Sequence, residues 1–185
     1  MKKIKDIEII STIPKPNPQQ IAVYELTFKE KGRLKRKEVT KSLEVVKILI
    51  YHKKRDAFVL IRQFRPLVYI NSPLNAIRYE LCGGRVDKPL SIEEIAKEEV
   101  LEEVGYRVER LKKVTTLVTG NRMHLFYCEV EEKDRVDRGG GVGEEEIEVI
   151  YLPTKEAKEF MFDESKPKRP ALMFMFCWWF HMRED

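Results

Sequence analysis

Three closely spaced glutamates, Glu99, Glu102 and Glu103, are the strongest chemical signal in this sequence. They fall in residues 92–104, where apolar side chains recur at helical spacing. On a helical wheel, Glu99 and Glu103 lie one turn apart within the apolar face, and Glu102 lies at its edge. Carboxylates on an apolar face are costly unless a cation neutralises them. Their oxygens suit Mg²⁺ or Mn²⁺, so the segment predicts a divalent metal site.

A second interpretation of these carboxylates requires no metal. A buried arginine or lysine could pair with Glu99 or Glu103 and keep its charge inside the fold. A solvated run of charge explains the pattern poorly, because Glu93, Glu94 and Lys97 already occupy positions away from the centre of the apolar stripe. The groups that surround the two carboxylates in the folded chain decide between the two interpretations.

Capping signals define both ends of the predicted helix. Ser91 is a favoured N-cap residue, and Glu94 three residues later completes a capping box. Gly105 follows the last apolar position and provides the C-terminal stop. Before the helix, Gly83 and Gly84 follow a short predicted strand, where two glycines let the backbone approach a ligand closely.

Together these features resemble the Nudix box, G-x5-E-x7-R-E-U-x-E-E-x-G-U. Counted back from Gly105, the first glycine of the box falls on Gly84 at the family's spacing, and residues 98–106 match most of its second half. Two positions depart from the pattern. Leu90 stands where the box has its first glutamate, and Glu98 stands where it has arginine.

Glu98 is the departure with the clearer consequence, because in the family the arginine orients the catalytic glutamates. Glu98 adds a negative charge near Glu102 and predicts looser orientation of that side chain. On this view Glu98→Arg should raise the rate or the metal affinity, by about 1 kcal/mol. Lys97 is the candidate for supplying the missing positive charge.

The resemblance extends over residues 25–180 and is closest to the UDP-sugar diphosphatase and ADP-ribose pyrophosphatase branch. Residues 59–66 resemble its Q-F-R segment and residues 80–84 resemble its E-L-x-A-G strand end. Residues 139–149 resemble the acidic loop that leads to its I-E-V strand. The resemblance implies metal-dependent hydrolysis of a nucleoside diphosphate sugar, UDP-glucose giving UMP and sugar 1-phosphate. ADP-ribose is the alternative substrate, and a nucleotide-binding module with slow turnover is the alternative class.

The resemblance also implies roles for individual residues. They are the metal ligands Gly83, Glu99, Glu102 and Glu103, the catalytic residues Glu102, Glu103 and Glu144, and the substrate contacts Arg62, Arg65 and Glu80. Structural alternatives remain open for four of them. Arg62 and Arg65 are also consistent with surface arginines at a strand end, Glu80 with a strand-end ion pair, and Glu144 with a solvated loop.

Composition sets the broad class of the chain. Its 185 residues suit one compact domain with a small added lobe, and 43% of them are hydrophobic. The net charge of +4 is modest, and no aromatic-basic repeat or finger pattern points to nucleic acid. Three widely spaced cysteines form no metal motif, and no secretory signal is visible, so we expect a cytoplasmic protein. The longest apolar run, residues 171–180, is too short to span a bilayer.

The elements that must position the site alternate between strands and helices. The predicted strands cover residues 5–13, 20–29, 43–51, 57–64, 79–82, 113–118, 123–130 and 146–152, and helices near residues 154–161 and 170–182 follow. This pattern indicates the α/β or α+β class, and the resemblance implies a Nudix-type α/β/α sandwich with a mixed sheet. Residues 1–42 would form a small N-terminal β lobe that joins a homodimer, and residues 43–185 would form the hydrolase domain. The basic stretch around Gly32 predicts a hairpin, either solvated or forming a rim that attracts phosphate.

Overall fold

A computed structural model of the chain describes residues 23–183. The strands are β1 (Val23–Glu30), β2 (Arg33–Thr40), β3 (Val45–His52), β4 (Ala57–Phe64), β5 (Ile77–Glu80), β6 (Lys112–Val118), β7 (Arg122–Val130) and β8 (Ile147–Pro153). The helices are α1 (Pro66–Asn71), α2 (Ile92–Val104), α3 (Thr154–Phe162) and α4 (Pro170–His181). Apart from α1 and β2, each of these elements was predicted to within a few residues, and β2 was indicated only as part of the hairpin around Gly32. The predicted strand at residues 5–13 lies outside the described part of the chain.

Six strands form one mixed sheet in the order β5-β4-β3-β7-β6, with β8 paired to β4. The β3–β7 pair is parallel, and the pairs β3–β4, β4–β5, β4–β8 and β6–β7 are antiparallel. β4 contacts β3 near its start and β5 near its end, while β8 follows almost its whole length. The predicted mixed sheet is therefore confirmed.

Helices cover both faces of this sheet, because residues along β3 and β4 alternate between two hydrophobic clusters. On one face, Ile48 and Ile61 pack with the apolar side of α2. On the other face, Leu49 and Leu60 pack with α3 and α4. The two clusters confirm the predicted α/β/α sandwich and place α2 with its glutamates against the sheet.

The apolar run that ends the chain forms α4 and packs on the sheet. Its buried residues include Phe176 and Trp179, while the adjacent Trp178 is only partly buried and makes an edge-to-face contact with Tyr127. The two tryptophans therefore face different directions, as helical geometry requires. Within residues 23–183, no helix is long and apolar enough to cross a membrane.

β1 and β2 form a separate two-stranded hairpin. Its turn consists of Lys31 and Gly32, both with positive φ, which confirms the predicted turn at Gly32. The exposed side chains of β2 match the solvated interpretation of the basic stretch. The more apolar face of the ribbon carries Tyr24, Leu26, Phe28 and Val39, with Lys37 paired to Leu26 and Lys35 paired to Phe28 on the same face. Among the described residues, this face has no covering element.

Candidate active site

α2 carries the three glutamates, and both of its ends are capped as the sequence predicts. The Ser91 amide donates to Glu94 Oε2 at 2.8 Å, and the Glu94 amide donates to Ser91 Oγ at 3.2 Å. Gly105 adopts the left-handed conformation with φ 78° and closes the helix. These caps fix where each turn of the helix, and therefore each carboxylate, lies relative to the sheet.

A glycine-rich loop holds the C-terminal turn of α2. The amide of Gly140 donates to the Glu103 carbonyl at 2.9 Å, and that of Gly141 donates to the Glu102 carbonyl at 3.1 Å. Both loop glycines have positive φ, and backbone contact this close leaves no room for larger residues at neighbouring Gly139. The loop thus satisfies carbonyls that the helix leaves unpaired and brings the acidic residues that follow it towards the site.

The chain that leaves β5 runs beside β3 and forms the floor of the site. The Ile48 amide donates to the Cys82 carbonyl at 2.8 Å, and the Val46 amide donates to the Gly84 carbonyl at 3.0 Å. Between them Gly83 has φ 133°, and a β-carbon there would collide with the Val46 carbonyl. Only glycine fits at this position. The Gly83 amide faces Glu103, and the Gly83 carbonyl faces Lys47.

Glu99 and Glu103 converge on this floor. Glu103 is buried, and its Oε2 accepts a hydrogen bond from the Gly83 amide at 2.7 Å. The carboxylate of Glu99 lies against Gly84, where a β-carbon would overlap it. The helical wheel placed these two carboxylates on the apolar face, and the structure confirms that placement.

The electrostatics of the pair indicate a shortage of positive charge. Burial, and then the charges of Glu103 and Glu102, raise the pKa of Glu99 to about 7. Burial also raises the pKa of Glu103, although the charge of Lys47 and the Gly83 amide oppose the increase. Two neighbouring carboxylates with raised pKa values favour any cation that can neutralise them.

These groups fit a divalent cation. Carboxylate oxygens of Glu99 and Glu103 and the carbonyl of Gly83 are the oxygen donors that Mg²⁺ and Mn²⁺ prefer. Among the described residues, no group of three or more acidic, histidine or cysteine side chains is arranged to hold a metal ion. The glutamate pair and the carbonyl would therefore be part of a coordination shell that water and substrate phosphate complete.

Lys47 is a buried lysine of the kind that the metal-free interpretation requires, but its ion-pair partner is Glu80 and not Glu99 or Glu103. This buried lysine of β3 donates to the Gly83 carbonyl at 2.5 Å and to the Leu81 carbonyl at 3.4 Å. Its charge lowers the pKa values of Glu99 and Glu103, yet both stay raised. One lysine thus neutralises the site incompletely. The sequence offered one signal for it, a lysine within the apolar run of β3.

Glu102 faces a different partner. Lys88, in the loop before α2, contacts Glu98 Oε2 at 2.7 Å and Glu102 Oε1 at 3.3 Å. Lys97, which we considered as the substitute for the box arginine, instead pairs with Glu93 at 2.8 Å. The positive charge beside Glu102 therefore comes from the loop, which sequence analysis missed because no helical spacing relates Lys88 to α2.

Basic side chains surround Glu80 at the end of β5. Arg65 donates to both carboxylate oxygens at 2.8 Å, and Arg78 donates to Oε1 at 2.9 and 3.2 Å. Arg169 Nε and Lys47 Nζ lie 3.5 and 3.9 Å from Oε2. Burial would raise the pKa of Glu80, but Arg65 and the other cations lower it to about 2. Four cations thus share one carboxylate, and Arg78 and Arg169 were not anticipated.

Arg62 lies in a separate ion pair. Its Nη2 is 3.0 Å from Glu148 Oε2, and its Nη1 donates to the Tyr79 hydroxyl at 3.4 Å. Glu148 is buried in β8, so this pair links β4 and β8. The structure therefore brings Arg65 and Glu80 together but assigns Arg62 to a different partner.

The acidic loop places neighbouring glutamates differently. Glu144 is exposed in a turn. Burial is the largest influence on the pKa values of Glu103 and Arg65. The charge of Glu145 raises both pKa values by a smaller amount. The charge of Glu145 thus makes a small contribution at the glutamate site.

The chain is similar to several known proteins. The family model described as the NUDIX domain matches residues 41–173. Uridine diphosphate glucose pyrophosphatase NUDT14 of Bos taurus is 34% identical, over 84% of this chain and 86% of that protein. GDP-mannose pyrophosphatase of Cronobacter sakazakii is 36% identical, over 74% of each chain.

A solved structure described as an ADP compounds hydrolase has the same fold, with a TM-score of 0.69 over 99% of this chain and 98% of that one, at 16% identity. The family model covers most of the chain, including α2, its glutamates and the glycine floor. This chain belongs to the Nudix hydrolase family.

Proposed function

We propose that the chain hydrolyses the pyrophosphate bond of a nucleoside diphosphate sugar, using Mg²⁺ or Mn²⁺. UDP-glucose is the first candidate substrate and gives UMP and glucose 1-phosphate. The observation that carries the proposal is the pair formed by the buried Glu103 and the partly buried Glu99, which faces the floor at Gly83 and Gly84. The similarity to enzymes named UDP-glucose and GDP-mannose pyrophosphatase supports the substrate class.

Glu99, Glu103 and the Gly83 carbonyl would hold the metal, with Glu102 as a further ligand, directly or through water. When bound, a divalent ion offsets phosphate charge and lowers the pKa of a coordinated water. The protein contributes a fixed arrangement: the Gly83 amide aligns Glu103 at 2.7 Å, and the floor confines Glu99. Lys47 supplies positive charge to the carboxylates in the absence of metal.

The cations around Glu80 suit the pyrophosphate of the substrate. Glu80 uses one negative charge to hold Arg65 and Arg78 in bidentate or bifurcated contacts, with Arg169 close by. Their combined positive charge exceeds that of the single carboxylate, so an anion at this site would be attracted. In this arrangement Glu80 positions the arginines, and Arg65 is the first candidate for contact with phosphate. Arg62 stays a candidate only if substrate displaces it from Glu148.

The general base would come from the acidic loop. Glu144 is the position that the family resemblance indicates, and Glu145 is the one whose charge acts on Glu103. Separate Glu144→Gln and Glu145→Gln variants distinguish them, because loss of the base should lower kcat with little change in KM. Equal rates for both variants and the parent would remove the loop from the mechanism.

The N-terminal lobe would join two copies of the chain. An isolated two-stranded ribbon is marginally stable in water, and the apolar face of β1–β2 lacks a cover among residues 23–183. A second copy with the same apolar face is the proposed cover, which makes residues 1–42 the dimer-forming lobe. Three free cysteines, two of them buried, are consistent with a reducing compartment such as the cytoplasm.

A substrate panel tests the proposal and separates its alternatives. The protein is incubated with Mg²⁺ and UDP-glucose, GDP-mannose or ADP-ribose, and products are identified by mass. We expect a nucleoside monophosphate and a sugar phosphate, with the highest kcat/KM for UDP-glucose. A preference for GDP-mannose or ADP-ribose would change the assigned substrate. Binding without turnover of all three would favour a nucleotide-binding module.

A further inference from the structure

Lys88 makes a contact near the site that the reaction described above does not use. It lies in the loop between the glycine floor and α2 and spans two carboxylates on successive turns of the helix. Its Nζ is 2.7 Å from Glu98 Oε2 and 3.3 Å from Glu102 Oε1. The side chain of Glu102 is 28% exposed, less than those of Lys88 and Glu98, so the contact joins the surface to the edge of the site.

The charges on α2 explain why such a contact matters. Glu98 and Glu102 are four residues apart, as are Glu99 and Glu103, and like charges at this spacing repel. Lys47 lies on the floor beneath the inner pair. Without Lys88, the outer pair would have no cation in contact among the described residues, and Glu102 would be free to turn away.

The polarity of this contact is the reverse of the family pattern. The Nudix box has an acid in the loop, at the position of Leu90, and a base on the helix, at the position of Glu98. This chain has a base in the loop, Lys88, and an acid on the helix, Glu98. Both arrangements place one cation and one carboxylate between loop and helix, beside Glu102.

We propose that Lys88 is the positioning residue for Glu102, performing from the loop the orienting role that the box arginine performs from the helix. The proposal rests on the proposed hydrolase function and extends it to a residue outside the box consensus. It also changes the expectation for Glu98→Arg. A guanidinium at position 98 would face the Lys88 ammonium, so this variant alone is not expected to raise the rate.

The test compares five proteins: the parent, Lys88→Met, Lys88→Glu, the exchanged pair Lys88→Glu with Glu98→Arg, and Lys97→Met. Lys97→Met is the matched control, because Lys97 pairs with Glu93 and contacts neither Glu98 nor Glu102 in the structure. For each protein, kcat and KM for the nucleotide sugar are measured with Mg²⁺. Binding of Mn²⁺ to the protein without substrate is measured by calorimetry, and thermal unfolding checks the fold.

We expect Lys88→Met to lower kcat about tenfold with KM nearly unchanged, the result of a misplaced catalytic side chain. Lys88→Glu should lower kcat further, and the exchanged pair should recover at least about tenfold over Lys88→Glu. Lys97→Met should match the parent. Mn²⁺ should bind Lys88→Met no more tightly than the parent, whereas a simple counter-charge role predicts tighter binding once the positive charge is removed.

Three results would overturn the proposal: equal kcat for Lys88→Met and the parent, no recovery in the exchanged pair, or tighter Mn²⁺ binding by Lys88→Met than by the parent. Failure of the underlying function looks different, because the parent itself would then release no sugar phosphate. The Mn²⁺ measurement stays informative in that case, since tighter binding by Lys88→Met would still reject an orienting role.

Discussion

At the scale of single residues, Glu103 is the side chain on which the account depends most. It is buried, it is aligned by the Gly83 amide, and its pKa is raised by burial. Glu103→Gln keeps the shape and can still meet the amide, but it removes the negative charge. We expect at least about a hundredfold loss of kcat with normal unfolding, as for the loss of one strong electrostatic contributor. Glu93→Gln, on the outer face of the same helix, is the control and should be silent.

Glu80 predicts a dependence of stability on pH. Its pKa falls from 4.5 to about 2 in the folded chain, which corresponds to about 3 kcal/mol. Because the folded value is the lower one, this stability is present above pH 4.5 and is lost as the pH falls towards 2. In urea unfolding, Glu80→Gln should be less stable than the parent at pH 7, and the difference should shrink below pH 4.5. A stability difference between Glu80→Gln and the parent that stays constant with pH would contradict the assignment. The control is Glu109→Gln, at an exposed position, which should match the stability of the parent at each pH.

The sequence predicted the positions of side chains correctly where a single helix determines them. Helical spacing alone placed Glu99 and Glu103 on the buried face of α2. It could not find Lys88 or Arg169, because their contacts join segments that only the folded chain brings together. Lys97, the nearest basic residue in the sequence, was the wrong choice for that reason.

At the scale of elements, the glycine floor predicts two different failures. A β-carbon at Gly84 meets the movable end of Glu99, so Gly84→Ala should fold but displace that carboxylate. We expect about a tenfold to hundredfold loss of kcat with almost unchanged stability. A β-carbon at Gly83 meets the Val46 backbone, and φ is 133°, so Gly83→Ala should mainly lower the unfolding temperature. Measuring kcat and thermal unfolding for both variants tests this separation, and the reverse pattern would refute it.

Elements with a strong apolar periodicity were predictable, and the short helix α1 was not. Strong periodicity gave α2 and the central strands, whose apolar faces pack on the sheet. α1 was missed because its six residues bury none of their side chains and carry no periodic signal. The contact between the glycine-rich loop and the end of α2 was equally hidden, since it consists of backbone hydrogen bonds.

At the scale of the whole molecule, the ribbon β1–β2 predicts association. Light scattering at micromolar concentration should give twice the chain mass of 21.9 kDa. Leu26→Lys places a charge on the apolar face and should shift the protein to monomer, whereas Thr27→Lys on the opposite face should not. A monomeric parent would contradict the proposed dimer. The sandwich itself was predictable, because its strands alternate between two apolar faces.

The central claim is metal-dependent cleavage between the two phosphates of a nucleotide sugar. The most direct measurement follows UDP-glucose by phosphorus NMR with the parent protein, first in excess chelator and then after addition of Mg²⁺. The account predicts no change in chelator and, with Mg²⁺, the signals of UMP and glucose 1-phosphate in equal amounts. The same products in chelator, or UDP in place of UMP, would contradict it.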